Sequence, residues 1–417
     1  MKPNYRILIL TFLLSMIAEA ETVEITFEAL PNLLESRNPK VEASRALTEA
    51  AFSRTGYLGR SFLPSLTLLA SQETFKIGQT TGRTQPMYGA ELNMNVFNSG
   101  RDLIESQLRT LSAERKSVEH LRITSEELQK VRNLFWETLY IQEKIKLLDS
   151  TMKVNQKNLS TAVRRVRSGV ATESDRVEFE MKAVDLNRDL SESQLKLVEY
   201  KNQIAVLLNL SENAEIKLPE IISHEHDLEN LGLHSEKDHE YLYKENELQS
   251  EASALASKSI NRSWLPRLDA FAGYHQYNQR DKDPVNESDR TESVLGVKVS
   301  ISLAHGWEGA RESSALLKES QAFKKIADMQ KKETEIHLKN EIAMLNLLHG
   351  QVHEAEENII RAEKYYKLTQ SEYIRGVKNS PDVLSASEKI YEMQNKKIEI
   401  IRDFQVAKAH VLSKLGK

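Results

Sequence analysis

The sequence predicts a mainly α chain, internally duplicated, in which two pairs of β-strands interrupt very long coiled-coil helices. Three observations predict it. Matching motifs recur 202 to 207 residues apart, two stretches run without helix breakers, and short segments alternate apolar with polar side chains.

In chain order, residues 1–20 read as a secretory signal peptide. Lys2 and Arg6 precede an apolar run from Ile7 to Ile17, and small residues Ala18 and Ala20 flank Glu19, so the mature chain is expected to begin near Glu21. No later segment offers about 18 uninterrupted apolar residues, so any further membrane crossing must be made by strands. The 417 residues contain no cysteine, which excludes disulfides, thiolate metal sites, thiol catalysis and lipid attachment at cysteine. A formal charge of −4 without a basic stripe argues against a nucleic-acid partner.

The repeat follows. Phe62-Leu63-Pro64-Ser65-Leu66 recurs as Trp264-Leu265-Pro266-Arg267-Leu268, and Val206-Leu207-Leu208 with Leu210 recurs as Val411-Leu412-Ser413 with Leu415. Between them Gly100 matches Gly306, Gly169 matches Gly376, and Asp175 matches Asp382. The shared order and offset mark a duplication: residues 21–210 as a first helix-hairpin-helix repeat, 211–237 as a linker, and 238–417 as a second repeat.

Each repeat carries a long helix. No proline lies between Pro86 and Pro219 and no glycine between Gly100 and Gly169, which allows a helix roughly 100 Å long at about 1.5 Å per residue. Leu128, Val131, Phe135 and Leu139 mark its apolar stripe. The second repeat does the same from Trp307 to Arg375, with Leu338, Ile342, Leu345, Leu348 and Val352, interrupted only by Gly309 and Gly350. Helices of this length exceed what a globular domain needs and suit a coiled-coil rod.

The strands show a two-residue period. Tyr88, Ala90, Leu92, Met94 and Val96 alternate with Gly89, Glu91, Asn93, Asn95 and Phe97. Leu295, Val297, Val299, Ile301 and Leu303 alternate with Gly296, Lys298, Ser300 and Ser302. Partner strands precede each, giving expected strands at about 66–75 and 88–97, then 268–277 and 295–303; Gly78, Gly82 and Pro86, then Asp281, Asp283 and Pro284, fall in the connecting loops. The pattern fits membrane-barrel strands, with Leu92, Met94, Val297 and Val299 toward lipid and Glu91, Asn93, Lys298 and Ser300 toward a lumen. Four strands leave two open edges, which a bilayer does not tolerate. Three chains of four strands would give twelve, enough for about one water-filled lumen. The expected fold is therefore mainly α with a small β-barrel portion, closing as a homotrimer.

These residues resemble the TolC-type outer-membrane efflux proteins along essentially the whole mature chain. The marks are the leucine-proline before each hairpin, the exit Phe97-Asn98-Ser99-Gly100, and a glycine tip followed by aspartate in both halves. The second exit, Leu303-Ala304-His305-Gly306, departs from the family's usual phenylalanine and aspartate or asparagine. The resemblance implies a homotrimeric channel-tunnel, a barrel in outer-membrane lipid and a helical tunnel through the periplasm. The linker would form part of an equatorial belt, and a periplasmic adaptor with an inner-membrane pump would drive efflux or type I secretion. It implies no catalytic residue and no cofactor.

The tips of the helical hairpins carry the expected gate. Ser168-Gly169-Val170-Ala171-Thr172 reverses one hairpin and residues 376–380 the other, where Ser380 is expected to cap, Pro381 to take the first helical position, and Asp382 to face the helix start. By the resemblance, Asp382 matches a ring aspartate, while a second ring position falls on Ser385. Lys378 matches a basic link residue with Ser174 and Asp175 as partners, and Tyr373 a tyrosine bonded to the same aspartate.

Other residues carry weaker signals. His224, His226, His234 and His239 in the linker, and His349 with His353 at i, i+4, read as solvated surface, so no metal site is assigned. Trp264 and Trp307 bracket the second hairpin, as interfacial aromatics or as ordinary packing. Neither HExxH nor a glycine-rich phosphate loop occurs, and no acid, base and nucleophile converge, so an enzyme is not expected. The competing reading is a soluble periplasmic coiled-coil adaptor or scaffold, which predicts one hairpin and an added globular β-domain.

Overall fold

A computed structural model describes residues 22–75, 83–211, 214–219, 240–277, 290–302 and 305–415. The signal peptide, both hairpin loops apart from Pro86, most of the linker with its four histidines, and residues 303 and 304 of the second exit lie outside the described residues. The side chains of His305 and Trp307 do too. Contacts divide the chain into two units, residues 1–44, 120–242 and 332–417, and residues 45–119 and 243–331.

The first unit is helical. It begins with strand β1 (Thr22–Glu24), which pairs in parallel with β4 (Glu215–Lys217). Helix α1 (Leu30–Arg37) follows, then the first residues of α2 (Pro39–Ser53). The far portions of α4 (Arg101–Arg167) and α7 (His305–Ile374) lie in this unit, with α5 (Glu173–Leu207) and α8 (Ser380–Lys414) returning from the tips. The apolar stripes meet in one core: Leu128, Val131, Phe135 and Leu139 pack with Leu345, Leu348 and Val352, joined by Leu34, Ile204 and Phe404. Phe27 lies between Phe135 and Trp136 at 6.1 and 5.5 Å, and the Arg132 guanidinium sits 5.0 Å from its ring. Asn38 anchors the entry of α2 by accepting from Val41 N at 3.1 Å and donating to Leu207 O at 2.9 Å.

The second unit holds the rest of α2, the short α3 (Leu58–Ser61), α6 (Tyr241–Asn261) from Tyr243 on, and one four-stranded antiparallel sheet of order β2-β3-β5-β6. Its strands are β2 (Ser65–Phe75), β3 (Arg83–Phe97), β5 (Arg267–Tyr277) and β6 (Arg290–Ser300). The hairpins' second strands begin earlier than the alternation predicts, at Arg83 and Arg290, and β6 stops at Ser300 with residues 301 and 302 outside the ladder. Pro86 lies inside β3 because it pairs there only with β2; pairing to β5 begins at Met87, and a residue without N–H is tolerated at such an edge.

A register shift between Asn95 and Phe97 corrects the predicted alternation. Phe97 stands opposite Leu268, not with Asn95 on the polar face, because one residue of β3 is bulged out. The chain then turns into α4 through Ser99 and Gly100, both at positive φ, with Ser99 Oγ donating to Pro266 O at 2.6 Å.

Candidate functional site

Two places collect the predicted site residues: the helix tips of the first unit and the two faces of the sheet. At the tips, the two turns match atom by atom. Gly169 and Gly376 take φ of 75° and 84°, and the following amides, Val170 N and Val377 N, return to Arg165 O and Glu372 O at 3.0 and 2.9 Å. Only glycine adopts this left-handed backbone without strain. Three residues on, Thr172 and Asn379 cap α5 and α8, each reciprocally bonded to the aspartate at N3, Asp175 or Asp382.

This corrects the predicted cap. Asn379, not Ser380, is the N-cap, and Ser380 is fully buried in the first turn with its amide donating to Asp175 Oδ1 at 3.3 Å. The Tyr373 hydroxyl lies 3.4 Å from Ser380 Oγ, so Tyr373 reaches Asp175 through Ser380 rather than directly. Lys378 Nζ lies 3.6 Å from Asp382 Oδ1 within its own tip, in place of the expected Ser174 and Asp175; Ser174 and Ser385 are exposed.

Asp175 is the most heavily bonded of the site carboxylates. Its Oδ2 accepts from Thr172 N and Thr172 Oγ1, each at 2.9 Å. Burial by itself pushes this carboxyl up, but the bonds from Ser380 and Thr172 outweigh it and hold the pKa below the ordinary carboxylate range. One turn further, burial and then the charge of Asp175 raise Glu178.

Sequence reasoning missed Arg165. From the last turn of α4 its Nη1 donates to Tyr373 O at 2.6 Å, and its guanidinium stacks 4.0 Å from the Tyr373 ring centroid. Tyr373, Phe179, Val383 and Ala162 form a small core of their own under the tips. The available signal was slight: a basic residue in a last turn complements free helix carbonyls.

In the sheet, the two predicted sets fall on opposite faces. Leu66, Leu92, Ala272 and Leu295 share one row, and Met94, Ala270 and Val297 another, with Leu268 and Val299 beyond. Leu295 and Val297 are 88% and 65% exposed, bare apolar side chains on a regular sheet. The other face carries Ser65, Asn93, Phe271 and Gly296, then Asn95, Asp269 and Lys298, then Arg267 and Ser300, with Glu91 one row to the far side. Phe271 closes over Gly296, where a Cβ would stand 2.8 Å from its ring. Among the described residues no helix is long and apolar enough to cross a membrane, and no cluster of three metal ligands occurs.

The model of a family described as outer membrane efflux protein matches residues 30–210. No curated protein matches the chain. Among solved structures, the outer-membrane channel OprN is 12% identical with a TM-score of 0.78, over 94% of this chain and 89% of that one. The outer membrane protein VceC of Vibrio cholerae is 16% identical with a TM-score of 0.78, over 94% and 96%. The open state of the MtrE outer membrane channel of Neisseria gonorrhoeae is 14% identical with a TM-score of 0.77, over 94% and 88%. At these identities the likeness establishes the fold, and it extends over both repeats, including the half that the efflux-family model does not match.

Proposed function

We propose that three copies of this chain form an outer-membrane exit duct, each contributing four strands to a twelve-stranded barrel and its long helices to a tunnel through the periplasm. One observation carries this reading. The sheet ends in two unpaired edges, β2 and β6, beneath a face of bare apolar side chains. Lipid offers no water to satisfy those amides, and pairing β2 of one copy with β6 of the next removes both edges. A second feature fits the same assembly. On α5, Val177, Met181 and Val184, then Leu195 and Val198, are exposed at coiled-coil spacing, a seam for a neighbouring helix. The duct is passive; in this reading an inner-membrane pump and a periplasmic adaptor supply energy and docking for efflux or secretion.

Electrophoresis of outer-membrane fractions with and without boiling tests the assembly. A heat-labile trimer in the outer membrane is expected. A monomer in the soluble periplasmic fraction would sink the duct and favour a scaffold.

A further inference from the structure

We propose that the base of the sheet's polar face is an anion-binding basin, with Lys298 as its selectivity residue, through which carboxylate-, phosphate- or sulfonate-bearing solutes are favoured over cations. The inference rests on the barrel reading, which turns this face toward a water-filled lumen.

The basin has a volume of about 560 Å³ and is lined by Ser61, Ser65, Asn93, Asn95, Arg267 and Lys298, with Asp269 as its one carboxylate. Arg267 Nε donates to Asp269 Oδ1 at 2.8 Å, and Lys298 stands directly opposite Asp269 across β5 and β6. Two cations thus share one acid, and one positive charge per chain is left over. Lys298 is exposed and makes no ion pair among the described residues. Asp102, at the start of α4, is buried and already accepts from Asn95 Nδ2 at 3.0 Å, so it adds no open carboxylate to the basin. Toward the other end of the strands, Glu91 Oε1 lies 3.6 Å from His275 Nε2. Beside the apolar Leu63, Met94 and Phe271, the uncharged polar lining groups are amides and hydroxyls, which can donate to an anion without adding charge.

A ring of charge in a narrow lumen favours the opposite ion, as charged rings do in channels generally. Three Lys298 ammonium groups around one barrel would therefore raise the local anion concentration. The gate end carries the carboxylates of Asp175 and Asp382 instead, only the latter beside a lysine, Lys378, so charge selection would differ between the two ends of the duct.

The test uses the full-length channel in planar lipid bilayers, with a potassium chloride gradient and the reversal potential as readout. Lys298→Gln should lower the chloride-to-potassium permeability ratio by about two-fold or more, Lys298→Glu should lower it further, and Lys298→Arg should preserve it. The differences should be clear near 0.1 M salt and fade near 1 M, where the screening length falls from about 10 to about 3 Å. Because the chain has no cysteine, Lys298→Cys offers a unique thiol in the inserted channel. A cationic methanethiosulfonate should restore the parent ratio, and an anionic one should invert it. If the parent conducts and these substitutions leave the ratio unchanged, the basin is not selective and the barrel reading survives. If no channel or heat-labile trimer forms at all, the barrel reading fails first. Failure of both Lys298→Gln and Lys298→Cys to insert would also overturn the assignment, since a lumen position accepts uncharged side chains.

Discussion

The two helix tips share one turn and differ in what they hold. Their turns agree in the glycine conformation, the returning amide and the reciprocal cap, all at an offset of 207 residues. Their side chains do not. Position by position, Arg165 corresponds to Glu372, Val166 to Tyr373, Glu173 to Ser380 and Phe179 to Ala386. In each pair the two tips differ so that one partner reaches across: Arg165 onto Tyr373, and Asp175 onto Ser380. A turn needs only its backbone, so unlike sequences can share it; an interlock needs two unlike surfaces, and the side chains supply them.

Breaking the interlock at its largest member should have the largest effect. Tyr373→Ala removes a buried ring and the stacking partner of Arg165, and should destabilise the tips by about 3–5 kcal/mol, as large aromatic deletions in cores do. Val166→Ala at the equivalent place in the other tip should cost about 1 kcal/mol or less. Amide hydrogen exchange of the two hairpin ends compares them directly. Equal protection loss would mean that the tips are not specialised.

The two aspartates provide the next contrast. Asp175→Ala removes bonds to both tips and should cost about 1–2 kcal/mol, raising the resting conductance of the channel. Asp382→Ala removes a cap on its own helix alone; it should leave resting conductance near the parent's and weaken block by trivalent cations applied from the periplasmic side. Single-channel recordings separate the two, and identical phenotypes would erase the distinction.

Acid should loosen the Asp175 tie in two stages. Glu178, raised by burial and by Asp175, costs stability while ionised, so its protonation as pH falls through its folded pKa should first tighten the tips slightly. The folded pKa of Asp175 is depressed, so its stabilisation is full above the ordinary aspartate value of 3.8 and disappears as pH falls below it. Conductance should therefore dip and then rise toward low pH, and Asp175→Asn should abolish the rise. The smallest effect concerns Lys378, an exposed partner of Asp382 worth about 0–1 kcal/mol. Lys378→Ala should barely change stability yet deepen trivalent-cation block, because it leaves the Asp382 carboxylate bare; an unaltered block would place Asp382 away from the pore.

The legible parts of this molecule were those that repeat or alternate. Within the ladder the strand faces could be read because one side must stay apolar along its length, and there the reading failed at Phe97, where a single bulge reverses the parity; Ile301 and Ser302 lie outside the ladder altogether. The cap at Asn379 was legible too, had the repeat been used: Thr172 with Asp175 has the spacing of Asn379 with Asp382, whereas residue-type preference alone also favours Ser380. What could not be read was whatever joins distant residues singly, such as Arg165 on Tyr373, Ser380 on Asp175, or the three-residue strands β1 and β4, too short to show a period.

That last pair also constrains how the protein is made. Strand β1 stands near the start of the described chain, yet the only backbone it pairs with among the described residues lies beyond the entire first repeat. While a growing chain emerges in order, Val23 and Ile25 have no partner strand among the described residues until Ile216 has emerged. Closing so long a loop is entropically costly and slow compared with winding the helices between. The helices of the first repeat would thus form before the chain's own beginning is fastened, and an early segment left waiting in this way is a natural place for a chaperone or a protease to act.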